Sequence, residues 1–167
     1  MRAIRDRLAN VVHVIDILQY WILVVIFSAT VIVGSMQILA RFVFRMPLPW
    51  SEELLRMSFI WVTFIGASLG MSRGIHLSVN FFPNLLPRLG TSIIGFMSKL
   101  VAIGFAVTAI VLCWNFWWAA YHNAQRSAGM EIPMTVPYFG LLFAFCCMTI
   151  QLIKQLFDFF VDNAGTE

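Results

Sequence analysis

From Ile17 to Ala40 the chain carries no charged residue. At 1.5 Å per residue, about 20 apolar residues in a helix cross a hydrocarbon core of about 30 Å. Three more apolar stretches follow, so the chain is expected to cross a bilayer four times. Composition removes the soluble alternative. Only 11% of the 167 residues are charged and 60% are hydrophobic, whereas a soluble domain usually carries about 25% charged residues. The expected fold class is an all-α integral membrane protein, one four-span domain over residues 1–167.

The spans are expected at about 17–40, 54–72, 100–121 and 134–153, with interfacial segments at about 1–16 and 85–99. In the first of these segments Ile4, Leu8, Val11, Val12 and Ile15 recur at helical spacing opposite Arg2, Arg5, Asp6 and Asn10. That pattern suits an amphipathic lead-in at the headgroup boundary. It does not read as a cleavable signal, because the apolar run behind it is long enough to span and no A-x-A-like site follows. The apolar part of the second span, Met57 to Ser72, measures only about 24 Å as a helix, short of the core thickness. The third region, Pro87 to Tyr121, would measure about 52 Å. Its first part therefore reads as an interfacial approach or a separate short helix. Trp114, Trp117, Trp118 and Tyr121 form an aromatic belt at its far end. The tail from Asp158 reads as polar and frayed.

Basic residues set the expected orientation. Arg2, Arg5, Arg7, Arg73, Arg88, Lys99 and Lys154 fall on the side of the termini, while Arg41, Arg45, Arg56 and Arg126 fall on the other. The positive-inside rule then places both termini in the cytoplasm. The net charge of +3 comes without any basic run, so nucleic acid is not an expected partner. The three cysteines read as packing residues within apolar stretches, and three histidines on three separate segments suggest no metal site. No phosphate loop or nucleophile elbow is present, and no paired broken helices mark a carrier site.

The most informative stretch is Arg41 to Arg73. Pro47 and Pro49 break the chain between spans. Ser51 reads as a helix N-cap, with Glu52 and Glu53 in the first turn, where the helix dipole favours carboxylates. Arg56 follows Glu52 by four residues and Glu53 by three, within reach of both. Arg41, Arg45, Glu52, Glu53 and Arg56 thus form a candidate ion-pair cluster that fixes the hairpin, contacts another protein or offers a route for ions. Beyond it, Phe59, Thr63, Gly66 and Gly70 continue a stripe from Glu52 and Arg56 at steps of four and three. Gly66-xxx-Gly70 would let another helix approach closely, so the stripe is expected to face protein.

The pattern R-F-V-F-x-x-P-L-P-W-S-E-E-L-x-R, then a Gly-containing span, then R-G-x-H-L-x-V, resembles the small (DctQ-like) membrane subunit of tripartite ATP-independent periplasmic (TRAP) transporters. Pro49, Trp50, Ser51, Arg73 and His76 are its motif residues here, and Glu131-Ile132-Pro133-Met134 with Tyr138 is similar as well. The resemblance covers roughly residues 15–155. This chain has Asn80 where Asp is expected and Thr135 where Trp often follows I-P-M. The resemblance implies a bacterial inner-membrane system. In it a periplasmic protein captures an organic acid, and a large membrane subunit moves it with sodium coupling. The small subunit, without catalysis or cofactor, braces that large subunit. Its outward loops, 41–50 and 122–133, would help receive the periplasmic protein. Membrane lipid is the remaining expected contact. The rival readings are a stand-alone homo-oligomeric channel or carrier, and a membrane enzyme or assembly factor.

Overall fold

The computed structural model describes residues 2–46, 48–72 and 88–164, with side chains described over 7–46, 48–72 and 95–159. These residues form four helices: α1 (Arg2–Phe42), α2 (Pro49–Ser72), α3 (Arg88–His122) and α4 (Thr135–Ala164). Each is long and apolar enough to cross a membrane. Helices suit that solvent because every backbone donor and acceptor is satisfied within the segment.

The lead-in is not a separate element. α1 runs unbroken for 41 residues, about 61 Å, from Arg2 through the first span. No proline interrupts it, and its one glycine, Gly34, sits against Leu55 of α2. The third region resolves the same way. α3 is continuous from Arg88, so residues 88–99 are its first three turns and not a short helix of their own; Leu85 to Pro87 lie outside the described residues. α2 begins at Pro49 and measures about 36 Å, long enough to span once its charged first turns are counted.

The expected frayed tail is also helical, as far as Ala164. Three contacts explain this. Lys154 pairs with Asp158 at 3.7 Å one turn on, Phe159 lies over Gly95 and Phe96 of α3, and the Lys99 ammonium sits 4.5 Å from the Phe159 ring.

Helix α4 is the centre of the bundle, in contact with all three others. α1 packs on α2, and α3 touches only α4 among the described residues. Since α2 and α3 do not meet, an apolar groove of about 580 Å³ opens between Phe64 of α2 and Phe105 and Leu112 of α3, with Phe145 of α4 in its floor. At Gly140, α4 admits the Trp61 ring of α2. A Cβ at that position would lie 2.4 Å from Trp61 Cε2. The fold is therefore an open layer of helices with much apolar surface turned outward.

Candidate functional site

Two polar constellations occupy opposite ends of this layer. At the first, α1 turns into α2. Arg45 takes a left-handed conformation there, with φ of 55°. Pro49 is the first residue of α2, a position its fixed φ favours. Ser51 consequently lies inside the first turn and is not the N-cap. Its hydroxyl donates to the Leu48 carbonyl at 2.7 Å and is fully buried. Trp50 beside it is half-buried.

The five charged residues gather at this end, and they use their charges differently. Arg41 pairs with Glu52 at 3.7 Å, with side chains 63% and 58% exposed. Such an exposed pair contributes little stability. Glu53 turns instead to the loop between α3 and α4, where its Oε2 accepts from the amides of Gly129 at 2.8 Å and Met130 at 2.9 Å. Two amide donors favour the ionised carboxylate. The guanidinium of Arg56 is exposed and makes no ion pair with a described carboxylate, and Arg45 makes none either.

The tethered loop has its own order. α3 ends in a Schellman arrangement, with Ala124 at φ 44° and bonds from Gln125 N to Ala120 O and from Ala124 N to Tyr121 O. The two arms of the loop then pair: Ser127 N donates to Ile132 O at 2.9 Å and Met134 N to Gln125 O at 2.9 Å. The Glu131-Ile132-Pro133-Met134 segment is thus the return arm of a small hairpin whose tip Glu53 holds. A Cβ at Gly129 would sit 2.9 Å from Glu53 Oε2, so a side chain there would push the carboxylate from its place on these amides. Replacing Glu53 by alanine should lower hydrogen-exchange protection of the Gly129 and Met130 amides by about tenfold, the weight of roughly one charge-assisted bond. Unchanged protection would mean that the loop holds itself.

The stripe on α2 has two fates. Gly66 accepts α1, with Leu23 Cδ1 3.4 Å from a built Cβ. Phe59 and Thr63 are exposed, and nothing lies within 4 Å of a Cβ at Gly70. The exposed positions of α2 beyond Pro49 are Glu52, Arg56, Phe59, Thr63 and Ala67, a narrow line along one side of the helix. Arg73, His76 and Asn80 lie outside the described residues.

The second constellation was not anticipated from sequence. Gln19, Ser68 and Gln151, from three different helices, are each 1% exposed or less. They close a ring of hydrogen bonds: Gln19 Nε2 to Ser68 Oγ at 2.9 Å, Ser68 Oγ to Gln151 Oε1 at 3.0 Å, and Gln151 Nε2 to Gln19 Oε1 at 3.0 Å. Gln151 Nε2 also donates to Asp16 Oδ1 at 2.8 Å, and Ser72 donates to the other oxygen of Asp16. One turn on, Gln155 Nε2 reaches the Met71 carbonyl at 2.7 Å, an acceptor left over at the end of α2. Lys99 of α3 bonds the Gln155 carbonyl at 3.1 Å. All four helices are tied at this level. The sequence signal was present but weak: Gln19 and Gln151 are isolated amides near the ends of apolar runs, and spacing alone cannot say that they meet. Between the two ends the interior is apolar, with Ile65, Ala144 and Phe145 buried.

Residues 30–161, most of the four helices, match the sequence model of the family described as tripartite ATP-independent periplasmic transporters, DctQ component. Similarity to individual proteins agrees. The sialic acid TRAP transporter small permease protein SiaQ of Vibrio cholerae is 28% identical over 120 residues, 71% of this chain and 65% of that protein. The C4-dicarboxylate TRAP transporter small permease protein DctQ of Rhodobacter capsulatus is 27% identical over 115 residues, 67% of this chain and 49% of that protein. The sialic acid TRAP transporter permease protein SiaT of Haemophilus influenzae is 37% identical over 74 residues, 44% of this chain but only 12% of that protein. The chain thus spans less than two-thirds of each of these relatives. With four membrane-length helices and a family match over most of its length, this multi-pass membrane protein belongs to the DctQ component family of the tripartite ATP-independent periplasmic transporters.

Proposed function

We propose that the chain is the non-catalytic small permease subunit of a sodium-coupled TRAP transporter for an organic acid. In this reading it braces the large membrane subunit, its partner, in the bacterial inner membrane, with both termini cytoplasmic. The observation that carries the reading is the narrow exposed line on α2. Among the described residues Arg56 and Thr63 there make no hydrogen bond or ion pair, and hydrocarbon offers such groups nothing. The interior supports the same view. Gln19, Ser68 and Gln151 bond one another at one end, and apolar side chains such as Ile65, Ala144 and Phe145 fill the interior between that end and the other among the described residues. Sodium and substrate sites then belong to the partners. Sialic acids, C4-dicarboxylates and other carboxylates all remain open as cargo, because the selecting pockets lie outside this chain. The loop held by Glu53 and the turn at Arg45 form the outward face, where the periplasmic substrate-binding protein would dock.

Reversing Arg56 to glutamate is the direct test. Purification of the chain with its large subunit should yield at least about fivefold less complex, and proteoliposome uptake should fall in proportion. An intact, fully active complex would remove Arg56 from this role. The rival, a stand-alone channel or carrier, requires transport by the purified chain in liposomes without partners.

A further inference from the structure

Asp16 stands at the edge of the buried amide ring, and its charge has no counter-charge there. Its oxygens accept from neutral donors: Oδ1 from Gln151 Nε2 at 2.8 Å and Oδ2 from the Ser72 hydroxyl. Among the described residues no lysine, arginine or histidine forms an ion pair with it. A carboxylate at a membrane edge is costly unless a cation compensates it. An ionised carboxylate offers about four acceptor positions, so Asp16 keeps unused capacity beyond its bonds to Gln151 and Ser72.

That capacity meets a recess. On α1, Asp16 lies between the buried positions Val12 and Gln19 and the exposed positions His13 and Tyr20. On the exposed side His13, Asp16, Ile17, Tyr20 and Trp21 line a recess of about 360 Å³. Tyr20 and Trp21 make an edge-to-face pair in it, with ring centroids 5.8 Å apart. Neither the Tyr20 hydroxyl nor the Trp21 indole N–H has a hydrogen-bond partner among the described residues. The two rings follow Asp16 by four and five residues, about 6–8 Å further into the first span. That is the depth at which Tyr and Trp mark the membrane–water boundary.

A carboxylate beside aromatic rings suits an organic ammonium. A hard metal ion takes about six oxygen ligands, and this recess offers one carboxylate and one phenol. We infer that the recess seats the headgroup of an ethanolamine phospholipid from the leaflet on the side of the termini. Its ammonium sits on Asp16 against the two rings. Its phosphate accepts from the Tyr20 hydroxyl and the Trp21 N–H one turn deeper. Charge complementarity selects this occupant: one molecule brings both the missing cation and an acceptor for two free donors, whereas an anionic headgroup would meet the carboxylate's repulsion. The seated lipid supplies a counter-charge to the network that joins α1, α2 and α4. The inference does not depend on the bracing role.

The test is native mass spectrometry of the full chain, delipidated in detergent and offered equal amounts of dioleoyl phosphatidylethanolamine, phosphatidylcholine and phosphatidylglycerol. Wild type should favour the ethanolamine lipid about fivefold over the glycerol lipid and about threefold over the choline lipid, whose methylated ammonium cannot donate to a carboxylate. Asp16→Asn should remove both preferences. Should that variant fail to fold, Tyr20→Lys makes the same test with Asp16 in place. A lysine one turn on brings its own ammonium to the carboxylate, so the preference over the choline lipid should vanish. Tyr20→Phe/Trp21→Phe keeps aromatic rings and removes the donors. It should weaken all three lipids about threefold and leave their order unchanged; undiminished binding would overturn the phosphate contact. Equal binding of the ethanolamine and choline lipids to wild type overturns the ammonium seat, since Asp16 would then only repel the glycerol lipid. A preference that survives in Asp16→Asn or Tyr20→Lys overturns it as well.

Discussion

Replacing Gln151 by leucine should destabilise the isolated chain by roughly 2–4 kcal/mol. Leucine fills a similar volume, so the loss is one of polar partners and not of packing. Gln151 serves three residues from two helices: it accepts from Ser68 and donates to Gln19 and Asp16. Removing it leaves an amide oxygen, a hydroxyl and one carboxylate oxygen short of a partner in a buried site. A single hydrogen bond between membrane helices averages only about 0.6 kcal/mol, because the separated helices also find partners. The larger figure expected here arises from stranding several groups together, and a carboxylate among them raises it. Denaturant unfolding in detergent micelles, followed by circular dichroism, measures it directly. A loss below about 0.5 kcal/mol, the range of ordinary surface substitutions, would show that the ring is incidental. The companion variants Gln19→Leu and Gln19→Leu/Gln151→Leu complete a cycle, which should show strong coupling between the two amides.

Substituting Gly140 by alanine should cost about 2 kcal/mol, against the usual sign for such a change. Within a helix, alanine is ordinarily favoured over glycine by about 1 kcal/mol. Here the new methyl would lie 2.4–2.7 Å from three atoms of the Trp61 indole, which is rigid and cannot yield by a small torsion. Overpacking of this kind costs about 1–3 kcal/mol and occasionally more, enough to outweigh the propensity gain. Thermal melting of the purified chain should show the drop. The cause is identified by rescue: Trp61→Ala lowers stability in the native background, but combined with Gly140→Ala it should restore part of what that change removed. A melting temperature that rises in the single variant, or no rescue in the double, would place the indole elsewhere.

How much of this was legible beforehand follows from what each residue needs to find its place. Hydropathy is a local property. The charge-free run from Ile17 to Ala40 needs no partner to specify a crossing, and the same holds for the three runs behind it. The break at Pro47 and Pro49 was equally local. Boundaries were less accessible. Ser51 reads from sequence as the N-cap, but α2 starts at Pro49, whose fixed φ suits the first helical position. The helical tail beyond Asp158 depends on Lys99, Gly95 and Phe96 of another helix. The charged cluster shows the same limit. Spacing brought Glu53 within reach of Arg56, but the structure turns it to amides 76 and 77 residues away.

The four crossings, the placement of the two loops at one end and the motif shared with the DctQ component family were determined by the sequence alone, because apolar length and chain direction settle them segment by segment. Only the tertiary structure decided that α4 is the central helix, that α2 and α3 stand apart, and that Asp16, Gln19, Ser68, Ser72 and Gln151 share one network. In a chain whose spans are apolar on every side, periodicity cannot say which face turns inward. A few isolated polar groups choose it by finding each other, and the groups left without a partner mark the surface still to be covered.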